Sequence, residues 1–215
     1  MKFTLVIGNK NYSSWSMRAW LLLRLIGVEF EEISIALYRE GSREAVRRLG
    51  GETGLAPVLI ADAHPIWDTM AITEFLAERH PLLWPSDPFE RARARSYCGE
   101  VHSSLSALRE AMPVNTRGRR RSARRSEQVE ADVDRVTAIW STAGRGGSPW
   151  LFDRFGAADI MFAPVATRFQ TYDVRIEGAA KAYQQTILGH ALVQEWLELG
   201  AREADTIEMF ELPEA

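Results

Sequence analysis

The sequence predicts an α/β protein in two parts: a small mixed sheet with helices on its faces over residues 1–80, and an all-helical part over 89–215. Three observations predict it. Short apolar runs of strand length alternate with helical periods only as far as residue 80. Residues 81–88, Pro-Leu-Leu-Trp-Pro-Ser-Asp-Pro, carry three prolines and fit an ordered linker. Beyond them no strand pattern recurs.

Each element has a local reason. Phe3-Thr4-Leu5-Val6-Ile7, bounded by Gly8 and Asn9, reads as a buried strand. A hydroxyl-rich turn follows, Asn11-Tyr12-Ser13-Ser14-Trp15-Ser16-Met17-Arg18. Met17, Ala19, Trp20, Leu21, Leu22, Leu23, Leu25 and Ile26 then read as a helix buried over much of its surface, ended by Gly27. Residues 30–35 alternate as a strand, and 42–49 read as a short helix closed by Gly50-Gly51. Pro57-Val58-Leu59-Ile60 and Pro65-Ile66-Trp67 read as strands joined by the turn Asp62-Ala63-His64. Residues 69–79 read as a helix with Ala71, Ile72, Phe75 and Leu76 on one face, ending at His80-Pro81. In the second part, 89–111, 126–143, 157–171, 178–187 and 190–203 read as helices, which implies a bundle.

Composition narrows the function. The chain has 215 residues, 46% hydrophobic, enough for a sizeable core. A formal charge of −3 argues against general nucleic-acid binding. The early apolar run is too short for a signal peptide or a membrane span, so a soluble, cytoplasmic protein is expected, with no membrane partner. Cys98 is the only cysteine and has no partner for a disulfide, a redox pair or a zinc site. His64, His80, His102 and His190 show no metal-ligand spacing, so no metal is expected.

Three local patterns carry the chemistry. The serine turn places hydroxyls at a helix N-terminus, where free N–H groups and the positive dipole end favour an anion; its plain reading is a Ser13 or Ser14 cap. In Gly54-Leu55-Ala56-Pro57-Val58-Leu59 a proline opens a strand, which is also simply where proline is tolerated. In Trp67-Asp68-Thr69, just before a helix, the hydroxyl and free N–H groups can hold a carboxylate and Asp68 can hold an ammonium group; the plain reading is a second cap.

Taken together, in this order and spacing, these patterns resemble the glutathione transferase superfamily across nearly the whole chain. The first part resembles its thioredoxin-like domain. Leu83-Trp84-Pro85-Ser86-Asp87-Pro88 followed by Glu90-Arg91-Ala92-Arg93-Ala94-Arg95-Ser96 resembles the bridge into its helical domain. Phe155-Gly156-Ala157-Ala158-Asp159-Ile160 resembles its structural capping box, with Gly156 where Ser or Thr is usual, so only the Asp159 half remains. The turn Ser13-Ser14-Trp15-Ser16-Met17-Arg18 resembles the serine-type branch, and the zeta class (maleylacetoacetate isomerase-like) most of all, with Trp15 where that class carries cysteine.

The resemblance implies glutathione as co-substrate and a cis Ala56-Pro57 bond. It implies Ser13 as the catalytic hydroxyl, and glutathione held by Ser14, Ala56, Pro57, Asp68 and Thr69. Tyr12 is the rival donor to the thiol. Arg39 and Arg43 are candidates for the glycine carboxylate of glutathione, or solvated surface residues. Arg18, inside the first helix, is expected to pack or pair structurally. Tyr12, Asn115 and Arg117 are candidate walls for a small electrophile, although Pro113 also marks a plain helix end. Arg117, Arg119, Arg120, Arg121, Arg124 and Arg125 form a basic run, read as a nucleic-acid or phosphate site or as an exposed loop neutralised by Glu127, Glu130, Asp132 and Asp134. The resemblance further implies a homodimer. The function expected is a glutathione transferase or isomerase; the alternatives are a non-catalytic interaction module of the same fold and a thiol–disulfide exchanger, the last opposed by the lack of cysteine in the serine turn.

Overall fold

The computed structural model describes residues 1–214. Strands β1 (Phe3–Gly8), β2 (Phe30–Ile35), β3 (Val58–Ala61) and β4 (His64–Trp67) form one sheet in the order β2-β1-β3-β4. β1 runs parallel to β2 and antiparallel to β3, with Phe3 opposite both Phe30 and Ala61. β3 and β4 form a hairpin, and Asp62 and Ala63 both turn at positive φ. The parallel pair needs a crossover, which α1 (Ser14–Leu25) supplies.

The period of two along β1 divides the core. Phe3, Leu5 and Ile7 join α1, α3 (Thr69–Ala77) and the helical part in one continuous apolar cluster. Val6 points the other way, toward Val46 of α2 (Ser42–Arg48) and Val58. The sheet is therefore covered on both faces, and its two outer layers differ in size. The Ala56-Pro57 bond leading into β3 is cis.

After a 3₁₀ turn at Pro81–Leu83 come α4 (Pro88–Ser103), α5 (Ser106–Ala111), α6 (Glu127–Trp140), α7 (Ala157–Thr171), α8 (Gly178–Gly189) and α9 (Ala191–Arg202). α7 is the centre of the helical part, buried along nearly its whole length. Trp140 lies against Phe162, Phe169 and Tyr183 at ring separations of 5.1–5.9 Å. The fold class expected from the sequence is the one observed.

Two details differ from the sequence reading. Residues 89–111 are not one helix. The chain breaks after Ser103, with Leu105 at φ 60°, and restarts as α5. The restart is satisfied from a distance, because Asp132 of α6 accepts the Leu108 N–H at 2.9 Å. Second, residues 203–214 fold back along the first part, with a 3₁₀ turn at Glu208–Phe210 and a β-bridge between Arg121 and Glu214. The half capping box is present as expected: Asp159 accepts the Gly156 N–H at 3.0 Å and also bonds Leu151 N–H and the Tyr183 hydroxyl.

Candidate functional site

The serine turn follows β1 and starts α1. Ser13 is the N-cap of α1, extended at φ −88° and ψ 93°, and its Oγ accepts the Ser16 N–H at 3.2 Å. Ser13 Oγ and Ser16 Oγ are 2.7 Å apart, and Ser16 Oγ also takes the Gly8 N–H at 2.9 Å. The bland and the functional readings of this turn are thus both satisfied by one residue. Ser13 caps the helix, and it also lines a cleft of about 880 Å³ between the first part and the helical part. Ser14 lines the same cleft, and each serine is 6% exposed.

A second hollow of about 270 Å³ adjoins the cleft, with Trp15, Leu55 and Ala56 lining both. Its other walls include Pro57, Asp68 and Thr69. Asp68 is the N-cap of α3 at φ 75°; its Oδ1 accepts the Met70 and Ala71 N–H groups at 2.8 and 3.4 Å. Its Oδ2 lies 3.1 Å from Nε2 of His102, a residue of α4. The fold therefore gathers Ser13, Ser14, Ala56, Pro57, Asp68 and Thr69 from three separate stretches around two connected hollows.

Tyr12 also lines the cleft, but its hydroxyl is engaged. It donates to Glu211 at 2.5 Å and accepts from Arg117 Nη2 at 2.7 Å. Burial pushes the phenol above its ordinary value, and the Glu211 hydrogen bond adds to this. Glu211 stays below the usual carboxylate range: burial opposes its ionisation, but its bonds from Tyr12 and Arg117 outweigh that.

Asn115 and Arg117 do not line the cleft, which corrects their expected place in an electrophile pocket. Asn115 is fully buried, and its Oδ1 accepts the Gly118 N–H at 2.9 Å. Arg117 is spent on the C-terminal segment, bonding Glu203 O at 2.7 Å and Thr206 Oγ1 at 3.1 Å as well as Tyr12. Arg121 bonds Glu211 and Leu212 O, and Arg125 pairs with Glu130. The basic run is mainly a clamp for the chain's own tail and acids. Arg39 reaches the cleft but is paired with Asp205 at 2.7 Å; Arg43 lines the cleft without an ion pair among the described residues. Arg18 packs structurally: it is 1% exposed, donates from Nε to Met161 O at 3.0 Å, and lies over the Trp15 ring.

Sequence reasoning missed Phe210, Arg109 and Arg168 as cleft residues. Phe210 arrives with the folded-back tail and packs on Tyr12 and Tyr38. Arg168 had a weak signal in the sequence, a lone cation in an otherwise apolar helix, although its place in the last turn is also where a helix end favours a cation. Among the described residues, no group of three or more His, Cys, Asp or Glu gathers as metal ligands, and no helix is long and apolar enough to cross a membrane.

Comparison with known proteins agrees with this fold. The glutathione S-transferase N-terminal domain model matches residues 12–79, and the C-terminal domain model of the same family matches residues 119–199. A probable maleylacetoacetate isomerase of Caenorhabditis elegans is 32% identical over 98 residues, 45% of this chain and 45% of its own length. Glutathione S-transferase U22 of Arabidopsis thaliana is 29% identical over 156 residues, 69% of this chain and 66% of its own length. The matched stretch thus spans under half of the first relative and just under two thirds of the second. A glutathione transferase homologue from Burkholderia gl BGR1, solved with bound glutathione, superposes with a TM-score of 0.73 at 19% identity, over 94% of this chain and all of that one. With both halves of the chain matched by the two domain models of one family, and the whole chain sharing its fold, this protein belongs to the glutathione S-transferase superfamily.

Proposed function

We propose that this protein binds glutathione in the two connected hollows, favours its thiolate through the Ser13 hydroxyl, and conjugates or isomerises a small electrophile held in the cleft. The observation that carries the reading is the position of Ser13: a hydroxyl at the N-terminus of a twelve-residue helix, on the cleft wall, while its rival Tyr12 is held by Arg117 and Glu211.

The energetics are adequate. A free thiol has a pKa of about 8.5, and lowering it by about two units requires about 2.7 kcal/mol. A hydrogen bond to a charged acceptor contributes about 1.5–3 kcal/mol, and a helix N-terminus about 0.3–1 kcal/mol. The nucleophile belongs to the ligand, so no general base on the protein is needed. In this reading the smaller hollow takes the γ-glutamyl end. Asp68 faces its ammonium, Thr69 at the start of α3 faces its carboxylate, and the Ala56 backbone pairs with the peptide.

Transfer is the favoured form. Trp15 stands where zeta-class isomerases carry cysteine, and the relatives with the isomerase name are matched either over less than half their length or at only 24–25% identity. The non-catalytic alternative drew its support from the basic run, whose Arg117, Arg121 and Arg125 are bonded to the chain's own groups. A two-fold homodimer belongs to the same reading. Exposed Leu82 and Phe89, at 67% and 83%, supply apolar surface next to α4 for a partner. Sedimentation decides it, since a mass of 24.3 kDa is that of one chain. A cytoplasmic location is in keeping with a lone, buried Cys98. The deciding experiment for function is calorimetric titration with glutathione, followed by turnover of an electrophile panel. Absence of glutathione binding by the folded protein would overturn the reading.

A further inference from the structure

Three arginines meet behind and beside the serine turn with no carboxylate to pair them. Arg18 of α1 and Arg168 of α7 are 1% and 4% exposed, and Arg109 of α5 is half-buried. Arg18 and Arg109 both lie over the Trp15 ring, at 4.4 and 5.1 Å from its centroid. Their recorded hydrogen bonds go to backbone carbonyls: Arg18 to Met161 and Ser14, Arg109 to Val101 and His102, Arg168 from Nε to Met112 at 2.7 Å. None of the three is ion-paired among the described residues. Arg18 Nη2 is buried with no partner at all.

Such an arrangement is costly. Removing a guanidinium from water is repaid only by an opposite charge or by full hydrogen bonding. Here each cation also raises the cost of charging its neighbours, and burial together with Arg109 pushes Arg168 down to about 9. Among nearby acids, only Asp132 relieves this, and only at Arg109, whose charge it favours from a distance without an ion pair while capping α5. Glu44 pairs with Arg48, and Glu110, though on the cleft wall, is exposed and unpaired among the described residues.

Arg109 and Arg168 open onto the cleft, on its helical side. Arg39, Arg43 and Arg47 line the opposite side, at α2. The cleft thus carries two separate cationic walls with the serine turn between them.

From this arrangement we infer that Arg109 and Arg168 form an anion subsite for the second substrate, which therefore carries an acid group, a carboxylate or a sulfonate, next to its electrophilic centre. The inference rests on the glutathione reading above and deepens it. Glutathione's own carboxylates are served from the α2 wall and from α3, which leaves the helical-side pair for the partner molecule. Guanidinium groups suit this task because their planar fork matches an oxyanion, and a desolvated pair holds it more strongly than exposed lysines would. Arg18 supports the subsite from behind as a buried charge that no protein group neutralises.

The test uses an unreactive pair of equal shape, 3-nitrobenzoate and 3-nitrobenzamide, titrated calorimetrically into the full-length protein with and without saturating glutathione. The expected result is that the benzoate binds at least tenfold more tightly than the amide, and that glutathione does not displace it. Arg168→Gln and Arg109→Gln should each weaken the benzoate at least tenfold, leave the amide within twofold, and leave glutathione affinity unchanged. Arg109 is only half-buried, so its variant keeps the test valid if Arg168→Gln unfolds. Equal binding of benzoate and amide overturns the inference. Displacement of benzoate by glutathione also overturns it, because the arginines would then serve glutathione's carboxylate. Loss of glutathione binding in the unmutated protein would instead defeat the parent reading.

Discussion

Ser13 Oγ and Ser16 Oγ lie 2.7 Å apart, and the Ser16 oxygen is itself fixed by the Gly8 N–H at the end of β1. The pair can exchange which hydroxyl donates. When an anion sits in the cleft, Ser13 can turn its hydrogen outward while Ser16 donates into the lone pair vacated. Ser13→Ala should therefore raise the midpoint of thiolate formation by bound glutathione by about one to two pH units, the equivalent of about 1.5–3 kcal/mol. Ser16→Ala should raise it by less. Ultraviolet thiolate absorbance against pH measures both. A midpoint that stays in place in Ser13→Ala assigns the role to Ser14 or Tyr12.

Asp68 is tested best by a substitution that keeps its cap. Asp68→Asn retains an oxygen for the Met70 and Ala71 N–H groups and tolerates a positive φ, but loses the charge. Glutathione affinity should fall by about 1.5–3 kcal/mol, as for a hydrogen bond to a charged group. His102→Phe keeps a ring against Trp15 and removes the Nε2 contact that aims Oδ2, so a smaller loss is expected. Calorimetry reads both, and unchanged affinity in Asp68→Asn with the fold intact would sink the assignment.

What the sequence showed and what it hid divide by range of interaction. Ser13 and Asp68 cap helices through groups two or three residues away, so a reader of the chain can place them. The cleft residues around the first three motifs were legible for the same reason. Arg117 was misread because its partners, Glu203, Thr206 and Glu211, lie more than eighty residues later. The break between α4 and α5 was hidden because its completing acceptor, Asp132, belongs to another helix. Arg109 and Arg168 become cleft residues only once α5 and α7 pack against α1, which no local pattern announces.

The tail that Arg117 clamps should depend on it. Glu203 accepts the Lys10 and Asn11 N–H groups, Asp205 holds Asn9 and Arg39, and Phe210 forms part of the cleft wall. Arg117→Ala removes several of the bonds that anchor this segment, so a destabilisation of about 1–2 kcal/mol is expected. Hydrogen exchange should quicken in residues 203–214 before the sheet is affected, while the thiol midpoint stays where it was. An unmoved exchange pattern would show that the tail is held by its apolar contacts instead.

The last prediction concerns pH and Asp159. Its carboxyl is 1% exposed, and burial pushes it up to about 6, against hydrogen bonds from Tyr183, Leu151 N–H and Gly156 N–H that favour the ionised form. In the unfolded chain the group titrates at 3.8, so between that value and about 6 the folded protein holds a proton that the unfolded one has lost. Stability from this residue is therefore full below 3.8 and is lost as pH rises through about 6. The difference corresponds to on the order of 3 kcal/mol. Asp159→Asn cannot ionise, keeps an oxygen for the Gly156 N–H, and lacks this dependence. Measured by urea unfolding, the variant should be the less stable protein at pH about 4.5 and should recover ground on the unmutated protein by about 2 kcal/mol at pH 7. A difference that stays constant across that range would mean that the buried carboxyl is ionised throughout and that its hydrogen bonds outweigh its desolvation.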